Sequence, residues 1–148
     1  MRRLVLDTNI WLDWLVFEDT GVAHIRQLQG AGRVELCIDA TCEAELIGVL
    51  ARPFGKRQLD GPAQQAALAT CRRHSTRIDI QAPQAERARL PHCRDPDDQK
   101  FLDAALAAQA NYLITKDRAL LELSRRKKNQ VGRTVPFRIV TPDEFAEF

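Results

Sequence analysis

No apolar run in this chain approaches the roughly 18 residues that a membrane-crossing helix requires. The first residues, Met1 to Asp7, meet a charge too soon for a secretory signal. Both absences point to a cytoplasmic protein with no membrane partner. No two of the four cysteines (Cys37, Cys42, Cys71, Cys93) have CxxC spacing, which argues against a structural zinc site. Cys37 and Cys42 lie among apolar residues and are expected in the core, without disulfides. There is no Gly-rich phosphate loop. No Ser or Cys sits in a nucleophile elbow beside His24, His74 or His92, so a hydrolytic triad is unsupported. No strong charge of one sign is present either. The 22 basic residues outnumber the 20 acidic ones by only two, too little to imply nucleic acid by itself. Basic clusters exist at Arg125-Arg126-Lys127-Lys128, at Arg72-Arg73-His74 and at Arg52 with Lys56-Arg57. For each of them a solvated face is the plainer reading.

What is present is an ordinary globular balance. Hydrophobic residues make up 45% of 148 and charged residues 28%. That suits one domain with one core, spanning residues 1–148. Short apolar runs predict strands over 4–6, 35–38, 76–80, 112–115 and 137–140. Helical spacing predicts helices over 10–17, 22–29, 41–51, 62–74, 96–108 and 118–125, with Ile10, Trp14 and Phe17 on one stripe. Residues 81–94 read as a short helix and a loop. Thr141-Pro142-Asp143-Glu144 caps a terminal helix. Strands alternating with helices imply a three-layer α/β/α fold around a mostly parallel sheet of about five strands. There is no internal repeat or low-complexity tract. Trp11 and Trp14 are expected in the core.

Four acids fall where such a fold gathers ligands, at the edge where strands end and helices begin. They are Asp7, Glu45, Asp98 and Asp117. Asp7 closes Leu4-Val5-Leu6, and Asp117 follows Tyr112-Leu113-Ile114-Thr115. Asp98 opens a helix, and Glu45 lies on one. Gathered carboxylates repel one another unless a hard cation holds them. The pattern therefore points to Mg²⁺ or Mn²⁺ and to a phosphate ester.

Each acid also has a plain alternative. Asp7 and Asp117 are good N-caps. In Asp95-Pro96-Asp97-Asp98, Asp95 suits an N-cap, Pro96 the first helical position and Asp98 a capping box. Asp98 heads the stripe of Leu102, Ala105 and Leu106, while Asp103 falls with Gln99 and Lys100 on a face expected to be solvated. Asp95 and Asp97 remain open as substitutes for Asp98. Glu43 and Glu45 point about 200° apart on a helix. Glu45 shares a stripe with Val49 near the buried side. Glu43, in the first turn, is expected to favour the helix dipole from a solvated position.

These segments resemble a known family. Leu4-Val5-Leu6-Asp7-Thr8-Asn9 is similar to the opening of PIN-domain ribonucleases, and Glu45-Leu46 with Val49-Leu50 to their second motif. Asp95-Pro96-Asp97-Asp98-Gln99-Lys100-Phe101-Leu102 with Ala104-Ala105 resembles the third, although Gln99 stands where Asn is expected. Tyr112-Leu113-Ile114-Thr115-Lys116-Asp117 resembles the fourth. Ile139-Val140-Thr141-Pro142-Asp143-Glu144-Phe145 resembles the ending of one subgroup, the VapC-like toxins of bacterial toxin–antitoxin pairs. The resemblance implies metal ligands at Asp7, Glu45, Asp98 and Asp117, and carboxylate-orienting roles for Asn9 and Thr115. It also implies RNA as substrate, a cognate antitoxin and a homodimer. The basic segment from Arg125 to Arg133 is less typical.

Lys116, Arg118 and Arg94 are candidate contacts to a nucleic-acid backbone. Two rivals stand beside the nuclease. One is an RNA-processing enzyme with no toxin role, and the other a binding module whose acids are only caps. A phosphatase of the haloacid-dehalogenase type needs a second aspartate two residues after the first, and that position is Asn9.

Overall fold

The computed structural model describes residues 1–125 and 135–146. Five strands form one sheet: β1 (Arg2–Leu6), β2 (Val34–Asp39), β3 (Ser75–Ile78), β4 (Tyr112–Ile114) and β5 (Arg138–Val140). Every pairing is parallel, and the order is β3-β2-β1-β4-β5. Among them run α1 (Thr8–Leu15), α2 (Ala23–Gly30), α3 (Ala40–Leu50), α4 (Gly61–His74), α5 (Gln84–Arg87), α6 (Gln99–Ala107), α7 (Arg118–Arg125) and α8 (Pro142–Phe145). This is the three-layer α/β/α fold that the alternation of elements predicts. The apolar runs of β1 and β4 are continuous because both faces of a central parallel strand are covered. Val5 pairs with Leu113 in register, and Leu4, Leu113 and Ile114 are fully buried.

The order fixes where a ligand can sit. From β1 the chain steps outward to β2 and β3 on one side, and then returns to β4 and β5 on the other. The strands flanking that reversal, β1 and β4, send their following connections apart. A crevice opens beyond their carboxyl ends. Asp7 is the first residue after β1, and Asp117 lies three residues after β4.

Several local expectations are corrected. Phe17 does not extend the buried stripe, because α1 ends at Leu15. It is 48% exposed and meets Phe54 edge to face, with ring centroids 5.5 Å apart. The helix expected over 96–108 starts as a 3₁₀ turn, Pro96–Asp98, before α6 begins. There the Asp95 carboxylate accepts from the Asp97 amide at 3.0 Å and tightens the first turn. Trp11 and Trp14 do pack inside, stacked at 5.3 Å. All four cysteines are free and buried. Thr141 and Glu144 form the expected capping box. The basic run from residue 126 onward lies outside the described residues.

Candidate metal centre

Asp7 is 4% exposed. One carboxylate oxygen caps α1 by accepting the Ile10 amide at 3.0 Å. The other accepts the Thr115 hydroxyl. Capping thus uses one oxygen and leaves a second held toward β4. Burial pushes its pKa up to about 6, and the nearby Asp117 charge pushes the same way against those hydrogen bonds.

Thr115 is fully buried at the end of β4. Its hydroxyl donates to Asp7 and accepts the Asp117 amide at 2.9 Å. One side chain therefore ties the β1 acid to the β4 acid. Asp117 itself caps α7, with one oxygen accepting the Ala119 amide at 2.7 Å.

Asp98 occupies the N-cap position of α6 and makes no side-chain cap bond. Its Oδ2 is buried and finds no hydrogen-bond donor among the described residues. Its carboxyl stands within hydrogen-bonding reach of Asp117, where a single proton can be shared. Desolvation, the Asp117 carboxylate, Asp95 and Asp7 together push its pKa up to about 7. The capping account of the Asp95–Asp98 segment therefore explains Asp95 and leaves Asp98 unexplained. An orphaned carboxylate oxygen grouped with further aspartates has the chemistry that would suit a hard cation.

Glu45 is placed differently. Its Oε2 accepts the Thr8 hydroxyl, and its Oε1 lies 2.8 Å from Lys100 Nζ. The charges acting most on Asp98 are Asp117, Asp95 and Asp7, not Glu45. Asn9 is exposed, and its backbone amide, not its side chain, supports the Asp7 carboxylate. Among the described residues, no three His, Cys, Asp or Glu side chains already stand in a metal-holding group. The donors nonetheless fit a hard divalent ion in kind: all are carboxylate oxygens, one of them orphaned, in a buried setting that penalises their uncompensated charge.

Other expectations change. Glu43 is not a solvated dipole acid. It is 5% exposed and pairs with Arg72 at 2.7 Å and Arg77 at 3.0 Å. Those guanidiniums hold its pKa below the usual carboxylate value, the Arg72 bond most of all. Asp103 is half-buried and desolvation raises its pKa. Gln99, also expected on the solvated face, instead braces the loop before α6. Its side chain accepts the Cys93 amide at 2.8 Å and donates to the Pro91 carbonyl at 3.1 Å. Of the three candidate phosphate contacts, Lys116 is paired with Asp13 at 2.5 Å and Arg94 with Glu122 at 2.9 Å. Arg118 stays exposed beside Asp117.

Thr8 and Lys100 are the residues that sequence reasoning passed over. Thr8 stood in the sequence only as a neighbour of Asp7, and Lys100 as part of a polar face. Only the packing of α3 against α1 and α6 brings both onto Glu45.

Comparison with known proteins decides the family. A family model described as PIN domain matches residues 3–119, a stretch holding all four acids. The chain belongs to the PIN-domain family. Members of this family are nucleases, and they generally act with divalent metal ions. Among solved structures, the chain resembles one from the crystal structure of VapBC2 from Rickettsia felis bound to a DNA fragment from their promoter. That match has a TM-score of 0.66 at 16% identity, covering 94% of this chain and 98% of the other. At that identity the likeness shows the shared fold. No curated protein matches the chain. Among the described residues of this PIN domain, no helix is long and apolar enough to cross a membrane.

Proposed function

We propose that this PIN domain is a metal-dependent endoribonuclease that hydrolyses phosphodiester bonds in RNA. The observation that carries this reading is the Asp7, Asp98 and Asp117 cluster, in which one buried oxygen has no hydrogen-bond partner among the described residues. Asp7, Asp98 and Asp117 would hold Mg²⁺ or Mn²⁺, with Glu45 as the fourth carboxylate. A bound divalent ion would supply a water of lowered pKa and neutralise charge on the attacked phosphate.

The protein's own groups do the rest. Thr115 fixes Asp7 and the Asp117 backbone in one orientation. Thr8 fixes Glu45, and Asn9 is an exposed polar group beside Asp7 that suits an orienting role once substrate enters. Arg118 is exposed, has no ion pair among the described residues, and could contact a phosphate. Such a contact positions the strand without reading its sequence. In-line attack of water on phosphorus breaks the bond to O3′, leaving a 5′-phosphate and a 3′-hydroxyl. Single-stranded RNA suits an open edge of this kind, because its bases and backbone are accessible together.

The biological reading is a VapC-like toxin acting in the cytoplasm, as a homodimer, and restrained by a cognate antitoxin. The fold shared with a chain of the VapBC2 structure supports it, as does the ending from Ile139 to Phe145. The test is cleavage of matched single-stranded RNA and DNA pools with Mn²⁺, Mg²⁺ or EDTA, followed by analysis of the product ends. Metal-dependent RNA cleavage leaving 5′-phosphates supports the reading. Cleavage of DNA alone, or 2′,3′-cyclic phosphate ends, contradicts it. A small antitoxin-like gene beside this one would separate a toxin from an RNA-processing enzyme.

A further inference from the structure

The four acids form two electrostatic groups. Asp117 and Asp7 push the Asp98 pKa up, Asp117 pushes up that of Asp7, and Asp98 carries the orphaned oxygen. Glu45 already has a cation. Lys100 Nζ sits 2.8 Å from Oε1, with both side chains about three-quarters buried, at 21% and 27% exposure. Thr8 occupies Oε2. Both oxygens of Glu45 are thus engaged. The lysine comes from α6, two residues after Asp98, so the helix that presents the orphaned carboxylate also presents the ammonium that neutralises its neighbour.

Resting on the metal-dependent reading above, we propose that Lys100 is a positioning residue that competes with the divalent ion for Glu45. A largely buried ammonium and a metal ion cannot both take the same oxygen at full strength. Metal loading therefore requires Glu45 to exchange Lys100 for the ion, which lowers the affinity of the empty protein for metal. Removing Lys100 leaves Glu45 without its counter-charge. The site then gains net negative charge and binds metal more tightly. The same displacement frees the ammonium at the edge of the site, where its remaining N–H donors suit a substrate phosphate.

The readout is Mn²⁺ binding, followed by calorimetry and by the rise in Tm with added Mn²⁺. Lys100→Met is expected to move the binding midpoint to roughly threefold to tenfold lower Mn²⁺, the size of coupling between contacting groups. Lys100→Arg keeps the charge and should stay near the wild-type midpoint. In a Glu45→Gln background, Lys100→Met should change the midpoint little, because the competitor has lost its target. If Lys100→Met in otherwise wild-type protein binds Mn²⁺ equally or more weakly, the competition is wrong. That result leaves the nuclease reading intact as long as wild type binds Mn²⁺ and Asp98→Asn does not. If wild type itself binds no Mn²⁺, the inference falls together with the reading on which it rests.

Discussion

Thr115 joins the two acids that end β1 and β4: its hydroxyl donates to the Asp7 carboxylate while accepting the Asp117 amide at 2.9 Å. This single buried residue therefore sets the relative placement of two groups 110 positions apart. Thr115→Val preserves shape but strands a buried acceptor and a partly buried amide. Unmet buried polar groups cost about 1–3 kcal/mol. The Tm should fall by roughly 3–10 °C for a domain of this size, and cleavage should fall with it. Thr115→Ser restores the hydroxyl and should recover most of both. A Val variant with wild-type activity would mean that the tether is dispensable.

Asp98 predicts a pH dependence of the metal-free protein. Its folded pKa is raised to about 7 by desolvation and by Asp117, whereas an unfolded aspartate titrates near about 3.9. The folded state then binds more protons than the unfolded state between those values, so stability falls as pH rises through them. Asp98→Asn removes this contribution. At pH 8 without metal, the variant should melt higher than wild type, and the difference should shrink toward pH 4. Asp7, raised to about 6, adds the same sign, and removal of the neighbouring Asp98 charge eases its ionisation, which favours the variant at high pH as well. Denaturation curves from pH 4 to 8 in EDTA measure it.

Glu43 has the opposite sign. Arg72 and Arg77 lower its pKa, so its contribution is present above the unfolded carboxylate value, about 4.3. It is lost as pH falls through the lower folded value. Glu43→Gln should be less stable than wild type at pH 7, and the two should converge under acid. Both guanidiniums are substantially exposed, at 57% and 40%, so added salt should narrow the gap further. Cleavage per folded molecule should be unchanged. A loss of activity in folded Glu43→Gln, with Glu45→Gln silent, would reverse the assignment of the α3 acid.

The parts of the fold that sequence made legible are those with one dominant physical signal. Leu4-Val5-Leu6 and Tyr112-Leu113-Ile114 are continuous apolar runs because both sides of the sheet are covered there. Thr141 with Glu144 announces a helix start through local chemistry alone. Asp7 and Asp117 were visible as acids after strands. The misread residues depend on tertiary packing. Glu43 was expected in solvent because helix phase places it opposite Glu45. Yet α3 is packed by α1, α4, α6 and β2, so both its faces are covered and the acid meets Arg72 instead. Phe17 extended a helical stripe by spacing, but the helix had already ended. Lys100 looked solvated because nothing in the sequence says that α6 lies against α3.

The most direct test of the central claim is a calorimetric Mn²⁺ titration at pH 7 of wild type and Asp98→Asn, repeated in buffers of different ionisation enthalpy. An ion entering the aspartate cluster should displace the proton held between Asp98 and Asp117, so binding should release protons in wild type. It should also raise the Tm, by an amount equivalent to about 2.7 kcal/mol at one hundred times the Kd. The account predicts saturable binding with proton release in wild type, and weak or absent binding in Asp98→Asn. Equal Mn²⁺ binding by both proteins, or none by wild type, would contradict it and return the acids to the role of helix caps.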